Sequence, residues 1–236
     1  MIEEFKKLKR EKTLIPILVA LLIISVLLSF VLYRVAEIEN IEKWYGRTGK
    51  LYASFLDIHI IFVTFFSVVL SYFLLTKEYI NDTWGLLITK VFRRTRLVFA
   101  KYIVFMSFYL VYALVFFAVS TLLVCIIVPY ELNGRLYVSI VLAGVFMSVF
   151  YASLQFCIQL LTDNLTIAVV IGLAYRYVEG KIPDNIPILK YLPCSSFSYL
   201  VNENHLMDIK LIGLFCAINI LCSIAMVAFC SKRFYS

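Results

Sequence analysis

Charge is scarce in this chain: Asp, Glu, Lys and Arg make up 16% of its 236 residues, against roughly 25% in an ordinary soluble domain. Histidine is scarcer still. His59 and His205 are the 2 present and lie far apart in sequence, so no histidine-rich metal set of a hydrolase can be built from them. Phosphate-loop spacing is missing as well. Gly46-Arg47-Thr48-Gly49-Lys50 lacks the Gly-x-x-x-x-Gly-Lys-Ser/Thr pattern and puts Leu51 where a magnesium-binding hydroxyl must stand. Any ATP-driven work must therefore draw on a separate chain, and no cofactor or metal is expected here. The 6 cysteines show no paired spacing. Cys125, Cys157, Cys216, Cys222 and Cys230 fall in or at the ends of apolar runs, and Cys194 sits in a polar loop. They read as small apolar residues rather than as disulfides or ligands.

Apolar length is what the chain has in abundance, with 63% hydrophobic residues. Six apolar segments can be marked, at 14–33, 58–76, 102–128, 136–161, 162–178 and 211–230. A run of about 18 or more such residues crosses a hydrocarbon core of roughly 30 Å, and it must be helical because no water is there to satisfy the backbone. The first run has a basic front like a signal peptide. It is longer than the roughly 7–15 residues of one, and the chain continues Tyr33-Arg34-Val35-Ala36-Glu37 with no small-residue cleavage site, so it is expected to stay as a span. The fifth segment is short; it is expected to extend back to Thr162 or to be surrounded by protein.

Lysine and arginine set the expected orientation. With both termini cytoplasmic, 13 basic residues fall inside, among them Lys6, Lys7, Lys9, Arg10, Lys12, Arg93, Arg94 and Arg96, and 9 fall outside, mostly on longer loops. Short flanking loops carry most of the orienting weight. The net charge of +7 then reads as contact with anionic headgroups and not as nucleic-acid binding. The expected fold is all-α: a polytopic membrane protein of six transmembrane helices forming a single domain over 1–236.

Three connecting segments stand out. In the N-terminal tail Ile2, Phe5 and Leu8 recur every third residue among lysines, the pattern of a short amphipathic helix lying in the headgroup layer; a plain basic flank explains it equally. Between spans two and three, Ile80, Trp84, Leu87 and Val91 form one apolar helical stripe. Asn81, Asp82 or Thr83 can cap its start, and Arg93-Arg94-Thr95-Arg96 returns the chain to the membrane. Such a helix either lies on lipid or docks into a groove on a cytoplasmic partner. The third is the long outer loop at 179–208, with Pro183, Pro187 and Pro193 around Ile188-Leu189-Lys190-Tyr191-Leu192.

Glu78-Tyr79, Thr83, Leu86-Leu87, the arginine-rich turn and Lys101 opening the next span together resemble the permease subunit of type-2 ABC exporters. The topology resembles that family too, through six spans, a near-absent fourth–fifth connection (Thr162-Asp163-Asn164) and the long fifth–sixth outer loop. This sequence departs in placing Trp84 before Gly85 and arginines in the turn. The small size, the aromatic content and the Lys190-Tyr191-Leu192-Pro193 run resemble the lantibiotic-immunity and antimicrobial-peptide export branch. The resemblance implies a multi-pass protein of the bacterial cytoplasmic membrane, a coupling helix within 77–96 and an outer re-entrant loop at 179–208. It also implies a cytosolic ABC ATPase that binds ATP-Mg, a second permease copy or a paralogous permease, and an amphipathic peptide or lipid as cargo. Glu78, Tyr79, Ile80, Thr83, Trp84, Leu87, Arg93 and Arg94 would then contact the ATPase.

Within the spans no charge sits at mid-membrane depth, which argues against a proton- or ion-coupled carrier. Asp57 and His59 read as interfacial anchors at the outer end of span two. Gly144, Ser148 and Ala152 step by four along span four with Gln155 and Gln159, a spacing that lets helices approach closely. Thr64, Ser67 and Ser71 share one face of span two, and Asn219 and Ser223 one face of span six. By analogy with the family, the Thr64/Ser67/Ser71 face is the expected translocation surface. An ion-coupled carrier, an ATP-independent scaffold and an intramembrane enzyme remain as other readings. The carrier would show repeated broken helices, and the halves of this chain show no such repeat.

Overall fold

The computed structural model of the chain describes residues 8, 11–38, 46–80, 94–127, 134–162, 164–179 and 209–233. Nearly all of these are helical, and no strand occurs among them. The physical reason is the one the composition gives: in hydrocarbon, each backbone N–H and C=O must be paired within its own helix. Helix α1 is Leu14–Ile38. Helix α2 runs as Gly46–Ser71, a π-helical turn at Tyr72–Thr76, and a last turn at Lys77–Ile80. Helix α3 is Arg94–Ile127. Helix α4 comprises Gly134–Leu142, a second π turn at Ala143–Met147, and Ser148–Thr162. Helices α5 and α6 are Leu165–Glu179 and Ile209–Arg233.

Helices α1, α2, α3, α4 and α6 are long and apolar enough to cross a membrane. The apolar part of α5, Leu165–Tyr175, is shorter. With 15 residues in all, α5 reaches only about 22 Å at 1.5 Å per residue. It begins abruptly, because the Asn164 side-chain oxygen accepts from the N–H groups of Thr166 and Ile167 at 2.9 and 3.2 Å, an N-cap that fixes the first turn. Thr162 therefore ends α4 and does not open the fifth span, contrary to expectation.

The apolar window of α2 is Ile58–Thr76, and the helix itself starts earlier, at Gly46, since a helix that satisfies its own backbone continues past the point where apolar character fades. Helix α3 starts at Arg94, so Arg94 and Arg96 form its first turns and are not a loop returning to the membrane. The connection expected at 77–96 narrows to 81–93, which lies outside the described residues together with Thr83, Trp84, Leu87 and Arg93. The outer loop from 180 to 208 lies outside them too, as do Ile2 and Phe5 of the tail.

Contacts fix which helix ends lie together. Glu11 forms an ion pair with Lys77, Lys101 meets Glu78, and Gln159 bonds Thr76. These contacts gather Glu11, the last turns of α2, the start of α3 and the end of α4 at one end of the bundle. At the other end the Cys216 thiol lies 3.8 Å from the Leu142 carbonyl. Leu8, expected on a lipid-facing stripe, is instead buried inside the protein.

The core is aromatic and lies between α2, α3 and α4. Phe66 stacks on Tyr112 with ring centroids 4.2 Å apart, and Phe105 packs on Phe156 at 5.1 Å. His59 corrects another expectation. It is no interfacial anchor: fully buried, it stacks on Tyr112 and lies 4.9 and 4.8 Å from the rings of Phe116 and Phe117. Its Nε2 stands 3.4 Å from Ser148 Oγ. The small-residue ladder of α4 does serve packing. A Cβ on Gly144 would meet the Phe117 ring at 2.1 Å, so α3 approaches α4 there as only glycine permits.

Candidate functional site

Helices α2 and α3 are antiparallel neighbours, and their facing ends hold the two ends of the 81–93 connection. Four polar side chains converge there. Lys101, seven residues into α3, points across to α2, where its Nζ is 2.7 Å from the Glu78 carboxylate and donates to the Leu74 carbonyl at 2.9 Å. The side chains of Lys101 and Glu78 are 0% and 4% exposed. Taking both charges out of water is costly, and the ion pair repays that only with close geometry and further hydrogen bonds; the Leu74 carbonyl supplies one.

That carbonyl belongs to the π turn. In Tyr72–Thr76 the helix widens, and the Lys77 N–H bonds back five residues to the Tyr72 carbonyl. Single π turns of this kind cluster at functional sites. The same turn carries Thr76, whose Oγ1 accepts from Gln159 Nε2 of α4 at 2.6 Å. Gln159 is fully buried, and its Oε1 has no hydrogen-bond donor among the described residues. One helical turn away, Gln155 Nε2 donates to the Ala168 carbonyl of α5 at 2.7 Å. Lys77, just outside the cluster, pairs with Glu11 and lies 5.4 Å from the centroid of the Phe73 ring.

The residues expected to contact a partner divide accordingly. Glu78 is inside this cluster and buried, so it anchors the base of the connection within the chain. Tyr79 lies in the last turn of α2, and Arg94 opens α3. Ile80, the first residue of the apolar stripe, is 65% exposed. Thr64, Ser67 and Ser71 do share one face of α2, and in this chain that face is buried. Ser71 Oγ donates to the carbonyls of Ser67 and Val68 at 2.6 and 3.1 Å, and the Thr64 methyl stands 2.7 Å from where a Cβ on Gly172 of α5 would be. Asn219 and Ser223 are likewise buried on α6, with Ser223 Oγ bonded to the Asn219 carbonyl at 2.7 Å.

From the sequence alone Lys101 is only the residue that opens a span, and Gln155 and Gln159 only packing residues. A lysine and a glutamate 23 positions apart flanking one connection were a signal for the pair; Thr76 carried none. No group of three or more His, Cys, Asp or Glu that could hold a metal occurs among the described residues. An apolar groove of about 380 Å³ between α1, α2 and α3, lined by residues such as Ile15, Leu22, Phe66 and Val115, has no charged side chain in its wall. The arrangement at the base of α2 and α3 ties the ends of α2, α3 and α4 together through buried polar contacts.

A family model described as ABC-2 family transporter protein matches residues 2–179, which takes in α1 to α5 and well over half of the chain. No curated protein matches it.

Proposed function

The chain belongs to the ABC-2 transporter family, as the membrane-spanning and non-catalytic part of an ABC transporter, and on that premise we propose that it is an exporter subunit whose 81–93 connection is the seat of the ATPase. The buried Glu78–Lys101 pair supports this reading above all. A surface loop with no task needs no internal clamp, whereas a segment that takes up force must have its two ends fixed to the helices it moves. Ile80, exposed beside the clamp, begins the apolar stripe that the partner would cover.

In the proposed cycle the cytosolic ATPases bind ATP-Mg and close. The coupling segments of two permease copies, or of this chain and a paralogue, are drawn together and the helices rock between two states. The sidedness follows the lysine and arginine distribution, with the 81–93 end inside the bacterial cytoplasmic membrane. The cargo is an amphipathic molecule, an antimicrobial peptide or a lipid, as the apolar and aromatic character of the spans suits. Thr64, Ser67 and Ser71, buried in the chain as described, become a path surface only if α2 and α5 part around Gly172 during that rocking.

The test is removal of 83–87 from a tagged chain. The shortened protein is expected to reach the membrane and to lose co-purification of the ATPase. Retention of the ATPase at the full-length level rules out this segment as its seat.

A further inference from the structure

Helix α4 packs against both α2 and α5, which also touch each other at Thr64 and Gly172, and its side-chain amides make one buried hydrogen bond to each. Gln159 donates to Thr76 in the π turn of α2, and Gln155, one turn further along the same helix, donates to the Ala168 carbonyl of α5. Both glutamines are essentially unexposed. Gln155 Oε1 also lies close against Gly172 of α5, where an added Cβ would clash with it. Two long, polar, flexible side chains are costly to order inside an apolar bundle, and leucine would pack there without that cost. Their spacing of i and i+4 sets both on one side of one helix.

We propose that Gln155 and Gln159 are positioning residues that carry displacement of the α2–α3 base into α5, with α4 acting as the bar between them. The inference rests on the reading of 81–93 as the ATPase seat. Any pull on that segment acts first on Glu78 and Lys101, and Lys101 grips the Leu74 carbonyl inside the π turn. A π turn has a hydrogen-bond register that can shift by one residue, so it is the part of α2 able to yield. Thr76 rides on that turn and moves Gln159 with it. The α4–α5 connection is only residues 163 and 164, capped by Asn164. It makes α5 follow α4 at one end, and the Gln155 bond makes it follow further along.

Physical intermediacy alone does not establish coupling; a two-state element that both ends bias does. The experiment uses the full chain with its co-purified ATPase and two spin labels, at Ile103 on α3 and Val170 on α5, both exposed positions, in a cysteine-free background. Interlabel distance is read in ADP and in ATP with vanadate. The unaltered bridge is expected to give a nucleotide-dependent shift. Gln159→Leu, Thr76→Val and Gln155→Leu should each abolish the shift while leaving the ADP distance, the ATPase yield and ATP hydrolysis within about twofold. Thr76→Ser should restore it. Combining Gln159→Leu with Thr76→Val should do no more than either change alone.

Full-amplitude shifts in the single variants, or additive losses in the double, overturn the bridge while leaving the coupling reading intact. If no ATPase co-purifies with the unaltered chain, the coupling reading fails and the bridge fails with it. Absence of any nucleotide-dependent shift in the unaltered complex also overturns the proposal. Should Gln159→Leu fail to reach the membrane, the near-isosteric Thr76→Val breaks the same bond from its other end.

Discussion

Lys101 and Glu78 face one another at 2.7 Å across the base of α2 and α3, with neither side chain open to solvent. Each is the other's main reason for being charged at that place. Removing one partner of a buried pair strands the remaining charge and costs about 3–5 kcal/mol, while replacing both with apolar groups is often neutral. Glu78→Gln and Lys101→Met are therefore expected to lower the detergent-solubilised protein's unfolding midpoint sharply, and Glu78→Leu with Lys101→Met to recover most of the loss. A loss in the double variant equal to the sum of the two single losses would show that the two charges do not depend on each other.

Glu11 and Lys77, the residue before Glu78, form a second ion pair, but their side chains are 27% and 37% exposed. Solvent and salt screen such a pair, which is worth about 0–1 kcal/mol. Glu11→Gln should change thermal stability little, and the small effect should vanish in high salt. A loss as large as that of Lys101→Met would mean that the N-terminal segment is held far more tightly than its exposure implies.

Gly172 and Gly213 offer a steric contrast. A Cβ on Gly172 would stand 2.3 Å from Gln155 Oε1 and 2.7 Å from Thr64 Cγ2, whereas one on Gly213 meets nothing within 4 Å. Overpacking a tight contact costs about 1–3 kcal/mol. Gly172→Ala should therefore destabilise the protein by that order and Gly213→Ala should be near neutral, measured by unfolding in mixed detergent and SDS. A neutral Gly172→Ala would refute the close approach of α5 to α2.

Tyr109 donates to the Val145 carbonyl at 2.7 Å and lies 2.5 Å from Ser148 Oγ. Ser148 keeps another partner, the Gly144 carbonyl. Tyr109→Phe removes the group that serves the second π turn and should cost about 0.6–1.7 kcal/mol, the range of interhelical hydrogen bonds in membranes. Ser148→Ala, which leaves the tyrosine bonded to Val145, should cost less in the same unfolding assay. The reverse order would move the anchor of that turn from the tyrosine to the serine.

How much of this the sequence discloses depends on whether a feature is collective or pairwise. Spans α1, α2, α3, α4 and α6 are legible because hydropathy sums over some twenty residues and tolerates any single exception. Their ends are not, because backbone hydrogen bonding carries α2 out to Gly46 and starts α3 at Arg94 through residues that are polar and still helical. The Thr64/Ser67/Ser71 and Asn219/Ser223 faces follow from helical period; that they turn inward depends on which helix packs beside them. The burial of His59 is hidden for the same reason, since it comes from Tyr112, Phe116 and Phe117 of α3, more than 50 residues along the chain. The Glu78–Lys101 and Gln159–Thr76 bonds need the relative register of two helices, and the π turns that set this register have no compositional signature.

The claim on which the account turns is that the segment between Ile80 and Arg94 is seated on a nucleotide-hydrolysing partner, and the most direct measurement is contact itself. A photo-crosslinking amino acid in place of Trp84, irradiated in intact membranes, is predicted to yield a covalent adduct with an ABC ATPase chain, identified by mass spectrometry of the shifted band. Crosslinks to lipid alone, in membranes where that ATPase is present, would contradict it.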